Sequence, residues 1–566
     1  MHLSAKYART GNRWLWSAAA GLIALVTAAT SSAAPVTDFR VSLSPAASTA
    51  PMTGRLLIAI GQTADPEPRL AIGFNGRPVY GMDISALKPG ASVVLNGSAV
   101  GYPMPLSALP AGDYYVQAVL ERYDQVHRED GHTIWVPIHP MRDTPFTGLQ
   151  GNLYSDVQRV HIDSRKGFRV SLALTHVIPP PPPPLDTPWI KHVWIKSEIL
   201  SKFWGTPIYM GAAVLLPKDF DQHPDAHYPA VYALSQGDPP YQFSLTPSSE
   251  AEKKKDKEVY NLETGYEFYQ DWISPAFPRV AAISLYQPSP YFLEAYAVDS
   301  VNNGPWGKAI TTELIPYLEK KFRLIPQPYA RVVEGASTGG WETLALQLKY
   351  PDFFGGAWVF NPDPISFKHW QLVDIYHADN MFSVPVSPFE GEEIPFRRTS
   401  EGMTTGTQRQ LADLEATLGS HGRSGYQLDI WMDTYGPIGS DGYPVLLFDK
   451  LTGKIDHDVA NYMRDHGYDL TEYARQNWAM LGPKLRGKLH FVSGEMDNFY
   501  LNLGVYDFQG MLNEVAGPDY PADFTYGRPK KGHSWHKTGF DEMIREMGAK
   551  IKANAPSASD AAQWNY

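Results

Sequence analysis

Six consecutive prolines at residues 179–184 divide this sequence into two parts of different texture. Such a run has no backbone donors, cannot continue a helix or a central strand, and favours an extended polyproline II spacer. It could also be a ligand for a proline-binding module, but at a change of texture a spacer is the simpler reading. Before it, residues 36–177 hold short β-type runs such as "RLLIAIG", "ASVVLNG", "DYYVQAVLERY" and "RVSLALTHV", broken by Gly, Pro and Asn. No long amphipathic helix interrupts them, which predicts a small antiparallel, sandwich-like β domain. After the prolines, buried-strand runs such as "YMGAAVLL", "YPAVYAL" and "RVAAIS" alternate with helical patterns. In "GKAITTELIPYLEKKF", for example, Ile310, Leu314, Tyr317 and Leu318 recur at helical spacing. This alternation predicts an α/β sheet covered by helices on both faces. Between about residues 365 and 475 the alternation fades into aromatic, Gly and polar residues, as expected of an insertion or cap.

The N-terminal residues read as an export signal. Lys6, Arg9 and Arg13 precede an apolar stretch at residues 15–29 and the small-residue segment "TSSAAP". The expected order is therefore a signal peptide (1–34), a β domain (35–178), a proline-rich linker (179–188), a catalytic domain (189–555, insertion 365–475) and a tail (556–566). Export would place the protein in a periplasm or outside the cell. The chain has no cysteine, so neither a disulfide nor a lipid-bearing thiol is available. No later stretch approaches the roughly 20 apolar residues of a membrane span, so no stable membrane anchor is expected. Sixty acidic against 49 basic residues, net −11, disfavour a phosphate-binding surface and hence a nucleic-acid partner. "KIDHDVANYMRDH" matches no metal-ligand spacing and reads as a solvated helix, so no metal is expected.

The sequence "VVEGASTGGWETLALQLKYP" carries the chemistry. The G-x-S-x-G match around Ser337 is weak alone, being expected by chance on the order of 0.3 times in a chain of this length. Its context strengthens it. "ARVVEG" reads as a strand, and Trp341, Leu344, Ala345 and Leu348 recur at helical spacing until Pro351. Ser337 thus falls at a strand-to-helix turn, where flanking glycines permit a sharp bend and the serine oxygen can project above a sheet. A helix N-cap serine is the plainer alternative. A serine hydroxyl needs a base to take its proton and an acid to orient that base. In "KLHFVSGEMDNFYL" a strand is followed by a turn and Asp497, with Glu495 also in reach, and in "DFTYGRPKKGHSWHKTGF" a strand is followed by a loop with His533. The order serine, acid, histidine is that of the α/β-hydrolase arrangement.

These segments, together with "YPAVYALSQG", "TTELIPYLEKKF" and "GASTGGWETLALQLKYPDFFGG", resemble the putative esterase family of α/β-hydrolases, which includes esterase D, feruloyl and enterochelin esterases and secreted mycolyltransferases. The resemblance covers roughly residues 190 to 555. It implies Ser337 as nucleophile, Asp497 as the acid and His533 as the general base, with the N–H groups of Thr338 and Asp238 forming the oxyanion hole. Where relatives often carry His-Gly, this chain has Gln236-Gly237. The resulting expectation is a secreted serine hydrolase that cleaves small or saccharide-linked carboxylic esters without a cofactor. An acyltransferase using the same triad is one alternative. The other is an inactive envelope- or carbohydrate-binding protein on a hydrolase fold.

Overall fold

The computed structural model describes residues 36–137, 148–235, 237–386 and 389–557 of the chain; the expected export segment lies outside them. In the N-terminal unit nine strands join one hydrogen-bonded sheet. Thr37–Leu43 runs parallel to Phe168–Val177, so the first and last strands of the unit are neighbours. Alternation decides which face is buried: in Phe168–Val177, Val170, Leu172 and Leu174 are buried while Arg169 and Ser171 are exposed. Phe39, Val41, Leu56, Ile58, Val116 and Leu172 share one core, so the sheet covers its own inner face. Residues 179–187 carry no helix or strand, as a polyproline spacer requires.

Beyond the spacer lies an eight-stranded sheet. Its strands in chain order are Ile190–Ser197 (β1), Ile208–Leu215 (β2), Ala230–Leu234 (β3), Ala281–Tyr286 (β4), Arg331–Ala336 (β5), Gly356–Phe360 (β6), Leu489–Gly494 (β7) and Asp523–Gly527 (β8). Their order across the sheet is β1-β2-β4-β3-β5-β6-β7-β8. β2 is antiparallel to both neighbours, and every pair from β4 to β8 is parallel. This is an α/β-hydrolase sheet. Helices cover both faces, which is why β3 (AVYAL) and β6 (GAWVF) are apolar throughout and wholly buried. The consequence for chemistry is topological. β5, β6, β7 and β8 lie side by side and parallel, so the residues that follow each of them emerge at one edge of the sheet.

Thr338–Lys349 (α1) follows β5 directly. The long excursion between β6 and β7 contains Gln408–Leu418 (α2) and Gln427–Tyr435 (α3) as well as two short hairpins. α2 begins at a capping box in which Thr407 and Gln410 satisfy each other's free N–H groups. Its apolar face is shared: Leu414 and Leu418 pack with Leu57, Val79, Tyr102 and Val119 of the N-terminal unit. A hairpin of that unit, Asp124–His127 with Thr133–Val136, sends Val126, Ile134 and Val136 into the main hydrolase core. The two units are therefore packed together although the spacer between them is extended. Among the described residues, no helix is long and apolar enough to cross a membrane.

Candidate active site

Ser337 occupies the turn between β5 and α1 with φ +58° and ψ −119°, a conformation that side-chain-bearing residues rarely adopt. The sequence permits the tight turn because the residues two positions to either side, Gly335 and Gly339, have no side chains. A Cβ on Gly335 would lie 2.4 Å from the Gly339 carbonyl oxygen, and one on Gly339 would lie 2.3 Å from that of Leu234 in β3. Four backbone hydrogen bonds then pin the turn. The Ser337 N–H donates to Phe360 O at 3.0 Å, and Ser337 O accepts from the N–H groups of Gly340 (3.0 Å), Trp341 (3.1 Å) and Asp363 (3.0 Å). The serine side chain makes no helix-capping bond and is half-buried, so the N-cap alternative does not describe it.

Asp497 follows β7 and is fully buried. Its Oδ1 accepts the N–H groups of Phe499 (2.8 Å) and Leu501 (3.2 Å), and its Oδ2 is 2.7 Å from His533 Nδ1. His533 lies in the loop after β8, held by its own N–H to Asn498 Oδ1 at 2.9 Å and by an edge-on contact with the Phe499 ring. Burial lowers the imidazole pKa, but the Asp497 carboxylate, its hydrogen bond and the nearby Asp363 carboxylate outweigh burial and raise it above the ordinary histidine value. Glu495 instead faces Arg528, with Oε2 3.0 Å from Nε. His536, three residues beyond His533, is pushed down to about 4, chiefly by burial and then by His533, and is neutral near pH 7.

The structure thus brings His533 and Asp497 into contact. The described hydrogen bonds do not join His533 to Ser337. Ser337 Oγ donates to Asp363 Oδ1 at 3.3 Å, a residue that sequence reasoning missed. Asp363 follows β6 and is 3% exposed. Its Oδ2 accepts from Tyr296 OH (2.5 Å), Thr338 Oγ1 (3.0 Å), Trp431 Nε1 (3.1 Å) and Gln427 Nε2 (3.2 Å). The last two are one helical turn apart on α3, so the excursion between β6 and β7 reaches the Ser337 turn through this carboxylate. Burial raises the Asp363 pKa, against the pull of these hydrogen bonds and of His533.

Thr338 stands at the first position of α1, where a backbone N–H has no partner within the helix. Asp238 directs its carboxylate to His192 Nε2 at 3.1 Å. No described contact joins Asp238 to Ser337, and Gln236 lies outside the described residues. Among the described residues, no group of three or more His, Asp and Glu is arranged to hold a metal ion.

A serine at a strained elbow, with a histidine and its carboxylate delivered from neighbouring strand ends, is the arrangement of a nucleophilic acyl-transfer site. Residues 206–380 match the family described as "Putative esterase". The match spans β2 to β6, and so contains the elbow and Asp363 but ends before Asp497 and His533. It supports an ester hydrolase. Among solved structures, a ferulic acid esterase aligns at 14% identity over 64% of this chain and 99% of its own, with a TM-score of 0.35. An S-formylglutathione hydrolase from Staphylococcus aureus aligns at 13% identity over 64% of this chain and 99% of its own, with a TM-score of 0.32. Another, from Agrobacterium tumefaciens, aligns at 14% identity over 66% and 95%, with a TM-score of 0.29. No curated protein matches the sequence at significance.

Proposed function

We propose that this protein is an exported serine carboxylic-ester hydrolase working through an acyl-enzyme. The observation that carries the reading is the His533–Asp497 pair, at 2.7 Å, delivered from the ends of β8 and β7 to the sheet edge where the Ser337 elbow emerges. For reaction, Ser337 Oγ turns from Asp363 toward His533 Nε2, the nitrogen left free by the bond from Nδ1 to Asp497. As Oγ attacks the ester carbonyl, His533 takes its proton, and Asp497 holds the resulting imidazolium in place. The developing oxyanion is met by the Thr338 N–H and by a second donor from the loop after β3, for which Asp238 N–H is our candidate. His533 then protonates the departing alkoxide, and water, activated by the same histidine, releases the acid.

The basic, apolar and small-residue order of the first 34 residues supports export to a periplasm or beyond the cell. The substrate class proposed is a small or saccharide-linked ester. The test is turnover of soluble carboxylic esters by the purified protein and by Ser337→Ala. Loss of about 10³-fold or more in the variant is expected, since such sites retain only the residual acceleration of the oxyanion hole. Equal turnover by both proteins would contradict the proposal.

A further inference from the structure

We infer that Asp363 reads the substrate, its Oδ1 accepting a hydrogen bond from a hydroxyl or ammonium group on the carbon next to the scissile carbonyl. The inference rests on the esterase reading of Ser337 and adds a substrate class to it.

The two oxygens of this carboxylate are in different situations. Oδ2 faces four neutral donors: Tyr296 OH and Thr338 Oγ1, and the N–H groups of Gln427 and Trp431, which Oδ2 shares with the nearer Tyr296 oxygen (2.6 and 2.8 Å). Oδ1 has a single described partner, the Ser337 hydroxyl at 3.3 Å. A carboxylate serving only as a structural clamp would have both oxygens satisfied by groups that stay in place. Here one oxygen is turned to the half-buried nucleophile, and the Asp363 N–H, bonded to Ser337 O at 3.0 Å, fixes it there.

Attack requires Ser337 Oγ to leave Oδ1 for His533. That motion strips a buried carboxylate oxygen of its donor, which is unfavourable unless another donor takes the position. Among the described ion pairs, no lysine or arginine neutralises Asp363. The acyl carbon bound to Oγ carries its neighbouring substituent into the space beside the vacated lone pair. A hydroxyl or ammonium there restores the hydrogen bond, and an ammonium also compensates the charge. A methoxy group presents acceptor to acceptor and is disfavoured. The gain appears only after the serine has turned, so it favours the reacting state over the resting one.

The experiment compares kcat/KM for four esters of one alcohol: propionyl, 2-hydroxypropionyl, 2-ammoniopropionyl and 2-methoxypropionyl. Each value is divided by the ester's rate with hydroxide to remove intrinsic reactivity. The hydroxy and ammonio esters are expected to exceed the propionyl ester by about tenfold or more, with the methoxy ester below it. Comparing the first two separates hydroxyl from ammonium recognition. In Asp363→Asn the four donors around Oδ2 force the amide oxygen to that side, which turns the NH₂ toward the substrate. The preference should then move to the methoxy ester. A wild-type ratio of one or less for both donor esters overturns the inference whether or not the variant folds, as does a preference unchanged in a folded Asp363→Asn. Hydrolysis of the propionyl ester reports the esterase reading separately: ratios near one with turnover intact remove only the role of Asp363, whereas no turnover of any of the four removes both.

Discussion

Arg55 of the N-terminal unit donates from Nε to the Thr417 carbonyl oxygen at 3.0 Å, closing the C-terminus of α2 across 362 residues of sequence. Its Nη2 also donates to Ala416 O (2.9 Å) and Thr417 O (2.7 Å), and its Nη1 to Asp83 Oδ1 (3.1 Å). A cation at the carbonyl end of a helix is doubly favoured, by hydrogen bonds to free acceptors and by the helix dipole. Because Arg55 is 4% exposed, its two bonds to the Thr417 carbonyl are made out of water. The β unit thereby braces α2.

Arg55→Ala should destabilise the protein by about 2–4 kcal/mol, since it leaves two helix-end carbonyls without their donor, while Asp83 keeps Ser420 and Arg423. Urea unfolding of the purified variant measures this. Removing residues 36–177 should do more, because it exposes Leu414 and Leu418 and withdraws Val126, Ile134 and Val136 from the main core. The truncated protein is expected to aggregate or to lose protection of α2 in hydrogen exchange. A soluble truncated protein with full ester turnover and a protected α2 would show that the contact is dispensable.

The two carboxylates of "GEMDN" should behave differently. Asp497→Asn keeps the shape of the site but removes the charge that fixes the His533 tautomer, and should lower turnover by about 10²- to 10⁴-fold. Glu495→Gln breaks only a partly exposed pair with Arg528, and should change turnover by less than about threefold. A crippled Glu495→Gln beside a near-normal Asp497→Asn would assign the acid to Glu495.

The pH dependence follows from His533. Its pKa in the folded protein is raised, so the neutral imidazole required of a base is reached only on the alkaline side of the ordinary value of 6.5. The acidic limb of kcat/KM, which reports the free enzyme, should therefore fall above that value, and in Asp497→Asn it should move to lower pH. The sign for stability is opposite. The protonated His533–Asp497 pair contributes fully below the unfolded value of 6.5, and that contribution is lost as pH rises through the raised folded value. A limb that stays in place in Asp497→Asn would show that this carboxylate does not set the base.

The elbow was legible because three signals coincide within "VVEGASTGGWETLALQLKYP": a strand, glycines at the turn and a helical apolar period. Asp497 and His533 were legible because each follows a strand pattern in the expected order. Asp363 was not. "FNPDP" carries no periodicity, and its meaning comes from β6 lying beside β5 and from Trp431, 68 residues further on. The available signal was positional: the end of the strand next to the one that leads into Ser337. Helical spacing also misplaced one side chain. Ile310, Leu314 and Leu318 are buried as their period predicts, but Tyr317 is 38% exposed, in the helix Ile315–Lys321 that follows a wide turn at Ile310–Leu314. The proline spacer suggested a separable β unit, and only the folded chain shows Arg55 at the end of α2.

The central claim is that Ser337 is the nucleophile, and the most direct measurement is the site of covalent trapping. A fluorophosphonate reacts with an activated serine and leaves its phosphonyl group on Oγ. Peptide mapping by mass spectrometry of the labelled protein should place one adduct on the peptide containing Ser337. Labelling should be abolished in Ser337→Ala and strongly slowed in His533→Ala. An adduct on another residue, or labelling that persists in folded Ser337→Ala, would contradict the account.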